Sequence, residues 1–263
     1  MKSIYQALAE IEENHLSAAL CTVIRSEGST PRHVGSKMLV YPDGRFMGTV
    51  GGGELESRVI KAAIESMSDR KSKTLEYTMA DPSRGDPGVC GGQVEVFVEP
   101  ILTTPTIVVI GGGHVGKAVV QLAKWLGFHV VVSDDRPEFS NPESVPGADA
   151  YYPVPMADLT GQLQVTRQTY LVVTSRGSSV DVQGLPSLLD SEAAYIGVIG
   201  SKRRWATTVQ ALKKNGVADE KIQRVHSPMG LELQAETPEE IAVSILAEIL
   251  MLRDKGTGEA MRD

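Results

Sequence analysis

The stretch IVVIGGGHVG, residues 107–116, is the strongest constraint on what this chain can fold into. Four β-branched residues run into Gly111, Gly113 and Gly116, spaced as G-x-G-x-x-G. KAVVQLAKWLGF follows with helical period, and HVVVSDD then reads as a second buried strand ending in Asp134 and Asp135. A strand, a glycine turn, a helix, a strand and an acid about twenty residues past the first glycine form the dinucleotide-binding βαβ pattern. The first glycine makes the tight turn, the second lets backbone approach a pyrophosphate, and the third lets helix and strand pack closely. The diphosphate would sit where Gly113, His114 and Val115 open the helix, because free N–H groups and the helix dipole favour anions there. Asp134, with Asp135 beside it, is placed to take ribose hydroxyls, which favours NAD over NADP. In the opposing reading the glycines serve the turn alone and the site is empty or repurposed.

The same alternation continues to the end of the chain. Strands are expected at 169–174 and 194–199, and helices at 182–190, 202–214 and 238–253, the last opened by Thr237-Pro238-Glu239-Glu240. Strands alternating with helices predict a doubly wound parallel sheet of the Rossmann type over 103–263. Three stretches fall at or near strand ends, where such sheets bind ligands. TSRGSSVD (174–181) offers Arg176. GSKRRW (200–205) offers Gly200, Ser201 and Arg203, and its cations serve either a phosphate or a solvated helix face. VHSPMGLELQAETPEE (225–240) places His226 in a loop beside a proline, a weak candidate for acid–base chemistry.

Upstream of the proline- and threonine-rich joint PILTTPT (100–106) the pattern differs. A helix is expected at 2–16, a strand at 18–26, a hairpin at 35–50 turning on Pro42-Asp43-Gly44, a helix at 54–69 and strands at 73–79 and 93–99. Residues 1–102 therefore read as an α+β domain with mostly antiparallel pairing. It carries three glycine-rich loops. RSEGSTPRHVGSKM holds Gly28, Ser29, Arg32 and Lys37, which supply N–H groups, a hydroxyl and two cations to an anion. GTVGGGELES brings Gly51, Gly52 and Gly53 to a helix start at Glu54. GDPGVCGGQVEVFVEP places Cys90 before Gly91 and Gly92 at the entry to a strand. One such loop would be a turn and a cap; three in a small domain point to a ligand site. Cys90 is a thiolate candidate if cations or N–H groups lower its pKa, whereas Cys21, inside an apolar strand, reads as core.

Composition narrows the classes. The 263 residues carry a net charge of −7, which excludes a general nucleic-acid binder. Two distant cysteines make no disulfide framework and no zinc-ligand spacing, so no metal site is expected and a reducing compartment is. No apolar run is long enough to span a membrane, and the first residues lack a signal-peptide core, so a cytoplasmic protein is expected.

Taken together, GSTPRHVGSKMLV, GRFMGTVGGGELE, GVCGGQVEVFVEP, IGGGHVGKAVVQLAKWLGFHVVVSDDRPEF, YIGVIGSKRR and VHSPMGLELQAETPEEIAVSILAEIL resemble the XdhC/CoxI family of xanthine dehydrogenase accessory factors. The resemblance covers almost the whole chain and rests on the order and spacing of all six. It implies an N-terminal XdhC/CoxI domain followed by a Rossmann-type domain, and a chaperone rather than a catalyst. Such a protein binds molybdenum cofactor, supports its sulfuration and delivers it to a molybdenum hydroxylase such as xanthine dehydrogenase, with a cysteine desulfurase as a further partner. By this resemblance Cys90 contacts molybdenum or the transferred sulfur, a soft metal suiting a thiolate. Two departures stand out. Many relatives have a second cysteine in the glycine loop where this chain has Glu54, and SRGSSVD lacks the histidines that relatives often carry, Ser178 standing in that loop. A homodimer is a further expectation. The reading from another class is an NAD(P)-dependent oxidoreductase using the second domain; a third has nucleotide there gating release of cofactor from the first.

Overall fold

A computed structural model describes residues 2–13, 16–78, 92–102 and 104–262. The chain divides into two compact units, Met1–Thr103 and Thr104–Asp263.

In the first unit, helix α1 (Ile4–Glu13) precedes strands β1 (Ala18–Glu27), β2 (Lys37–Val40) and β3 (Phe46–Gly48). Helix α2 (Gly53–Asp69) leads to β4 (Lys73–Thr78) and β5 (Gln93–Ile101). The strands form an antiparallel sheet in the order β3-β2-β1-β5-β4. Period-two alternation along β1 sends Ala19, Cys21 and Val23 to the face covered by Leu55, Val59, Ala63 and Met67 of α2. On the other face Ala18 and Leu39 pack with Ala7 and Ile11 of α1. Cys21 is fully buried and its thiol is pushed up to about 12 by that burial, so it is core, as its strand position predicts. The register pairs Glu27 with Gln93 and Thr22 with Lys37, so the segment between β1 and β2 and the start of β5 lie at the same end of the sheet.

The second unit alternates strands and helices: β6 (Thr106–Ile110), α3 (His114–Trp125), β7 (His129–Ser133), β8 (Ala150–Tyr152), β9 (Thr169–Val173), α4 (Ser178–Leu189), β10 (Tyr195–Val198), α5 (Lys202–Lys214), α6 (Asp219–Ile222), β11 (Val225–His226) and α7 (Pro238–Asp254). All pairings are parallel, in the order β11-β10-β9-β6-β7-β8. This is the doubly wound order in which the direction of winding reverses between the first and fourth strands, here β6 and β9. Alternate residues of the central strands feed two cores. Ile107 and Val109 pack with α3 and α7, and Val108 and Ile110 pack with Leu185 and Leu188 of α4 and Leu212 of α5. The fold class read from the sequence holds, an antiparallel α+β unit followed by a doubly wound parallel one.

The differences are local. Helix α4 begins at Ser178, four residues before the expected 182, because its first turn opens on two serines whose side chains carry no helical signal. Strands β8 and β11 and helix α6 are two to four residues long, too short for any periodicity. His226, expected in a loop, ends β11. Among the described residues no helix is long and apolar enough to cross a membrane.

Candidate functional site

In the first unit the turn after β1 is wedged between two glycines from elsewhere in the chain. A Cβ on Gly92 would collide with the Ser29 carbonyl and lie 2.9 Å from the Thr30 methyl, and one on Gly51 would lie 3.0 Å from the Pro31 ring. The loop 28–31 therefore meets the triple-glycine turn on one side and the entry to β5 on the other. Ser26 and Thr30 hold that loop internally, their hydroxyls hydrogen-bonded to each other at 2.6 Å with the Arg32 carbonyl as acceptor for the proton left over. Gly51, Gly52 and Gly53 all take positive φ, at 151°, 84° and 59°, which L side chains rarely adopt. Among the described residues nothing lies within 4 Å of where a Cβ on Gly52 or Gly53 would stand, and Gly52 caps α2 without a side-chain hydrogen bond. Among the described residues no side chain caps the first amides of that helix, which leaves them able to meet an acceptor. Thr49 and the Val50 amide donate to Glu56, which pins the strand leading into the turn.

Among the described residues Arg32 and Lys37 donate only to the backbone carbonyls of Pro31 and Gly35. Glu54 is engaged: Arg58 donates to it at 2.5 Å and the Tyr77 hydroxyl at 3.4 Å. Cys90 and Gly91 lie outside the described residues. The donors and open backbone around Gly52 and Gly53, with Arg32 in the adjoining loop, fit the anionic part of a phosphate-bearing cofactor.

In the second unit the ends of β6, β7 and β9 border a cleft of about 120 Å³. It is lined by Gly111, Asp134, Asp135 and Arg136, by Val154–Ala157, and by Ser175, Arg176, Val180 and Gln183. The fingerprint glycines play different parts. A Cβ on Gly116 would strike the Gly111 carbonyl, so the third glycine brings helix against strand as expected. A Cβ on Gly112 would strike the Phe139 carbonyl, whereas one on Gly113 meets nothing within 4 Å. His114 and Val115 open α3, which has no side-chain cap.

The two acids after β7 both border the cleft but bind different partners. The Asp134 side chain is 3% exposed; it accepts from the Gly112 amide at 3.1 Å and from Arg136 through Nε at 2.9 Å and Nη2 at 3.0 Å. Its carboxylate thus braces the glycine loop at the border of the cleft. Asp135 faces the cleft and binds Arg176 by a two-point fork, at 2.5 and 2.8 Å. The Arg176 guanidinium holds the Asp135 carboxyl down at about 2.

Nothing in the sequence singles out Arg204, yet it is the cation of GSKRRW that turns inward. It donates to buried Asp181 at 2.6 Å and to the Ser175 hydroxyl at 2.8 Å. An acid at the first turn of a helix that ends up buried requires such a partner. Gly200 leads into Ser201, which caps α5 by accepting from the Arg204 amide, while Arg203 is exposed. His226 has Nδ1 3.1 Å from Glu248, which also accepts from the Tyr195 hydroxyl at 2.6 Å and the Gly230 amide at 2.7 Å. Its ring stacks on Tyr195 at 4.8 Å. Burial pushes the Glu248 carboxyl up, but the hydrogen bonds from His226, Tyr195 and Gly230 leave it below the ordinary range. Tyr195 is raised by burial and by that carboxylate. The cluster ties β10, β11 and α7 together and gives His226 a structural partner.

Fold and sites thus define a protein with an antiparallel glycine-loop unit followed by a Rossmann unit. Residues 107–249 match the model of the XdhC Rossmann domain, and residues 12–78 that of the XdhC and CoxI family. The chain belongs to the XdhC/CoxI family. Among curated proteins it is 34% identical to the uncharacterized protein YqeB of Escherichia coli K12, over 98% of this chain and 48% of that one. The chain therefore spans about half the length of that relative. It is 23% identical to a probable xanthine dehydrogenase subunit from Bacillus subtilis 168, over 97% of this chain and 99% of that one. It is 22% identical to the molybdenum cofactor insertion chaperone PaoD of E. coli K12, over 90% and 83%. A crystal structure of a xanthine dehydrogenase from Bacillus halodurans shares the fold with a TM-score of 0.51 at 22% identity, covering 99% of this chain and 98% of that one.

Proposed function

We propose that this protein is an accessory factor that binds molybdenum cofactor and inserts it into a molybdenum hydroxylase of the xanthine dehydrogenase kind. The observation that carries the reading is the meeting of loop 28–31 with Gly51 and Gly92. It brings two of the three glycine-rich loops, with Arg32, to the chain entering β5, two residues after Cys90. Backbone N–H groups and a cation suit the phosphate of the pterin, and a thiolate suits molybdenum or a transferred sulfur. The names of the B. subtilis and PaoD relatives agree with this role. In this reading Cys90 acts without a second thiol, because Glu54 stands in the glycine turn paired to Arg58. Support of sulfuration, contact with a cysteine desulfurase and a homodimeric state belong to the same proposal. An oxidoreductase using NAD(P) draws on the glycine fingerprint alone and is not adopted, since the Asp134 carboxylate is taken up by the Gly112 amide and Arg136.

The test is retention. Purified protein is mixed with molybdenum cofactor and passed through gel filtration, and the pterin in the protein peak is measured. Cofactor is expected to co-elute, and Cys90→Ser to lower retention at unchanged circular dichroism. No co-elution with the unaltered protein overturns the proposal, and loss of secondary structure in the variant would mark Cys90 as core instead.

A further inference from the structure

The cleft of the second unit is held closed by its own charges. Arg176, on the loop after β9, reaches Asp135, on the loop after β7, so the ion pair spans the mouth above β6. A carboxylate gripped at two points by a guanidinium mimics two oxygens of a phosphate. Arg136 lies beside this pair, its Nε 4.0 Å from Asp135 and its guanidinium 3.9 Å from the centre of the Phe139 ring. Asp135 would therefore keep a cation nearby if Arg176 let go. Val154, Pro155, Met156 and Val180 give the cleft an apolar wall, and Ser175 and Gln183 add hydrogen-bonding groups. At about 120 Å³ the space is small beside the roughly 300–1,000 Å³ of ordinary ligand pockets. Asp134, which also borders the cleft, is already engaged by the Gly112 amide and by Arg136, so the acid a dinucleotide's ribose would use is taken.

We infer that this cleft takes a nucleoside monophosphate rather than a dinucleotide, with the base on the apolar wall and the phosphate on Arg176, and that Asp135 is a built-in competitor which the phosphate displaces. The inference is independent of molybdenum binding in the first unit.

Calorimetric titration of the full chain, without molybdenum cofactor, tests it. The ligands are AMP, adenosine, inorganic phosphate and NAD⁺. AMP is expected to bind, adenosine and phosphate each more weakly, and NAD⁺ no more tightly than AMP. Asp135→Asn should tighten AMP by about two- to fivefold, the worth of a partly exposed ion pair. Arg176→Met should weaken it by at least about tenfold, the worth of hydrogen bonds to a charged group, and Arg176→Lys should fall between, keeping charge but losing the fork. Circular dichroism checks that each variant folds. The inference is overturned if AMP gives no binding at millimolar concentration in either the unaltered protein or Asp135→Asn, if Asp135→Asn weakens binding, or if Arg176→Met leaves it unchanged. Tighter binding of NAD⁺ than of AMP would return the cleft to dinucleotides.

Discussion

Gly112 and Gly113 are neighbours with opposite requirements. Gly112 lies under the Phe139 carbonyl with no room for a methyl group, and its amide donates to Asp134. Gly113, at φ −72°, meets nothing where a Cβ would stand. Gly112→Ala should cost about 1–3 kcal/mol through forced displacement of backbone, while Gly113→Ala should stay within about 0.5 kcal/mol of the unaltered protein. Thermal melts of the pair measure this, and equal losses would contradict the assignment. Nothing inside the protein requires a glycine at 113. The fingerprint is legible in sequence because spacing encodes a local turn. Which of Asp134 and Asp135 braces the glycine loop and which reaches Arg176 is not, since successive residues leaving a strand point to opposite sides and a one-residue ambiguity reverses the answer.

Elements with a long apolar period are legible nearly to the residue. Helix α5 spans 202–214 as expected, and α7 opens with Thr237 and Glu240 capping each other's backbone. The short elements β8, β11 and α6 are fixed by the sheet and helices they join, and no local pattern marks them. The same holds for the glycine-loop site, where Ser29, Thr30 and Pro31 meet Gly51 and Gly92 only through pairing of β1 with β5 and packing of α2. Glu248 belongs to this scale, because it joins three elements through Tyr195, His226 and Gly230. Its carboxyl is depressed in the fold, so the stability it contributes is present above the unfolded carboxylate value and lost as pH falls through the folded one. Glu248→Gln is expected to cost about 2 kcal/mol at neutral pH. Denaturant titrations should show this gap narrowing below about pH 4; a gap that does not change with pH would mean the charge plays no part.

Each unit of the molecule has its own buried clusters, α1 and α2 flanking the sheet in the first, helices on both sheet faces in the second. Residues 104–263 expressed alone are therefore expected to unfold in one cooperative transition by circular dichroism, with native-like helix content. A broad, non-cooperative melt would show that this unit depends on the first. The central pair β6 and β9 is buried along nearly its whole length and joins Thr106 to Thr169 across roughly sixty residues of intervening chain. On a ribosome, IVVI would emerge long before its neighbour TYLVV exists, with α3, β7 and β8 still to come. Loop closure of that length precedes the contacts that reward it, so assembly of this sheet is intrinsically slow. Both strands are uncharged and rich in β-branched and aromatic residues, the composition that pairs readily with other copies while it waits. Synthesis rate and temperature therefore bear directly on how much of this protein reaches its native state.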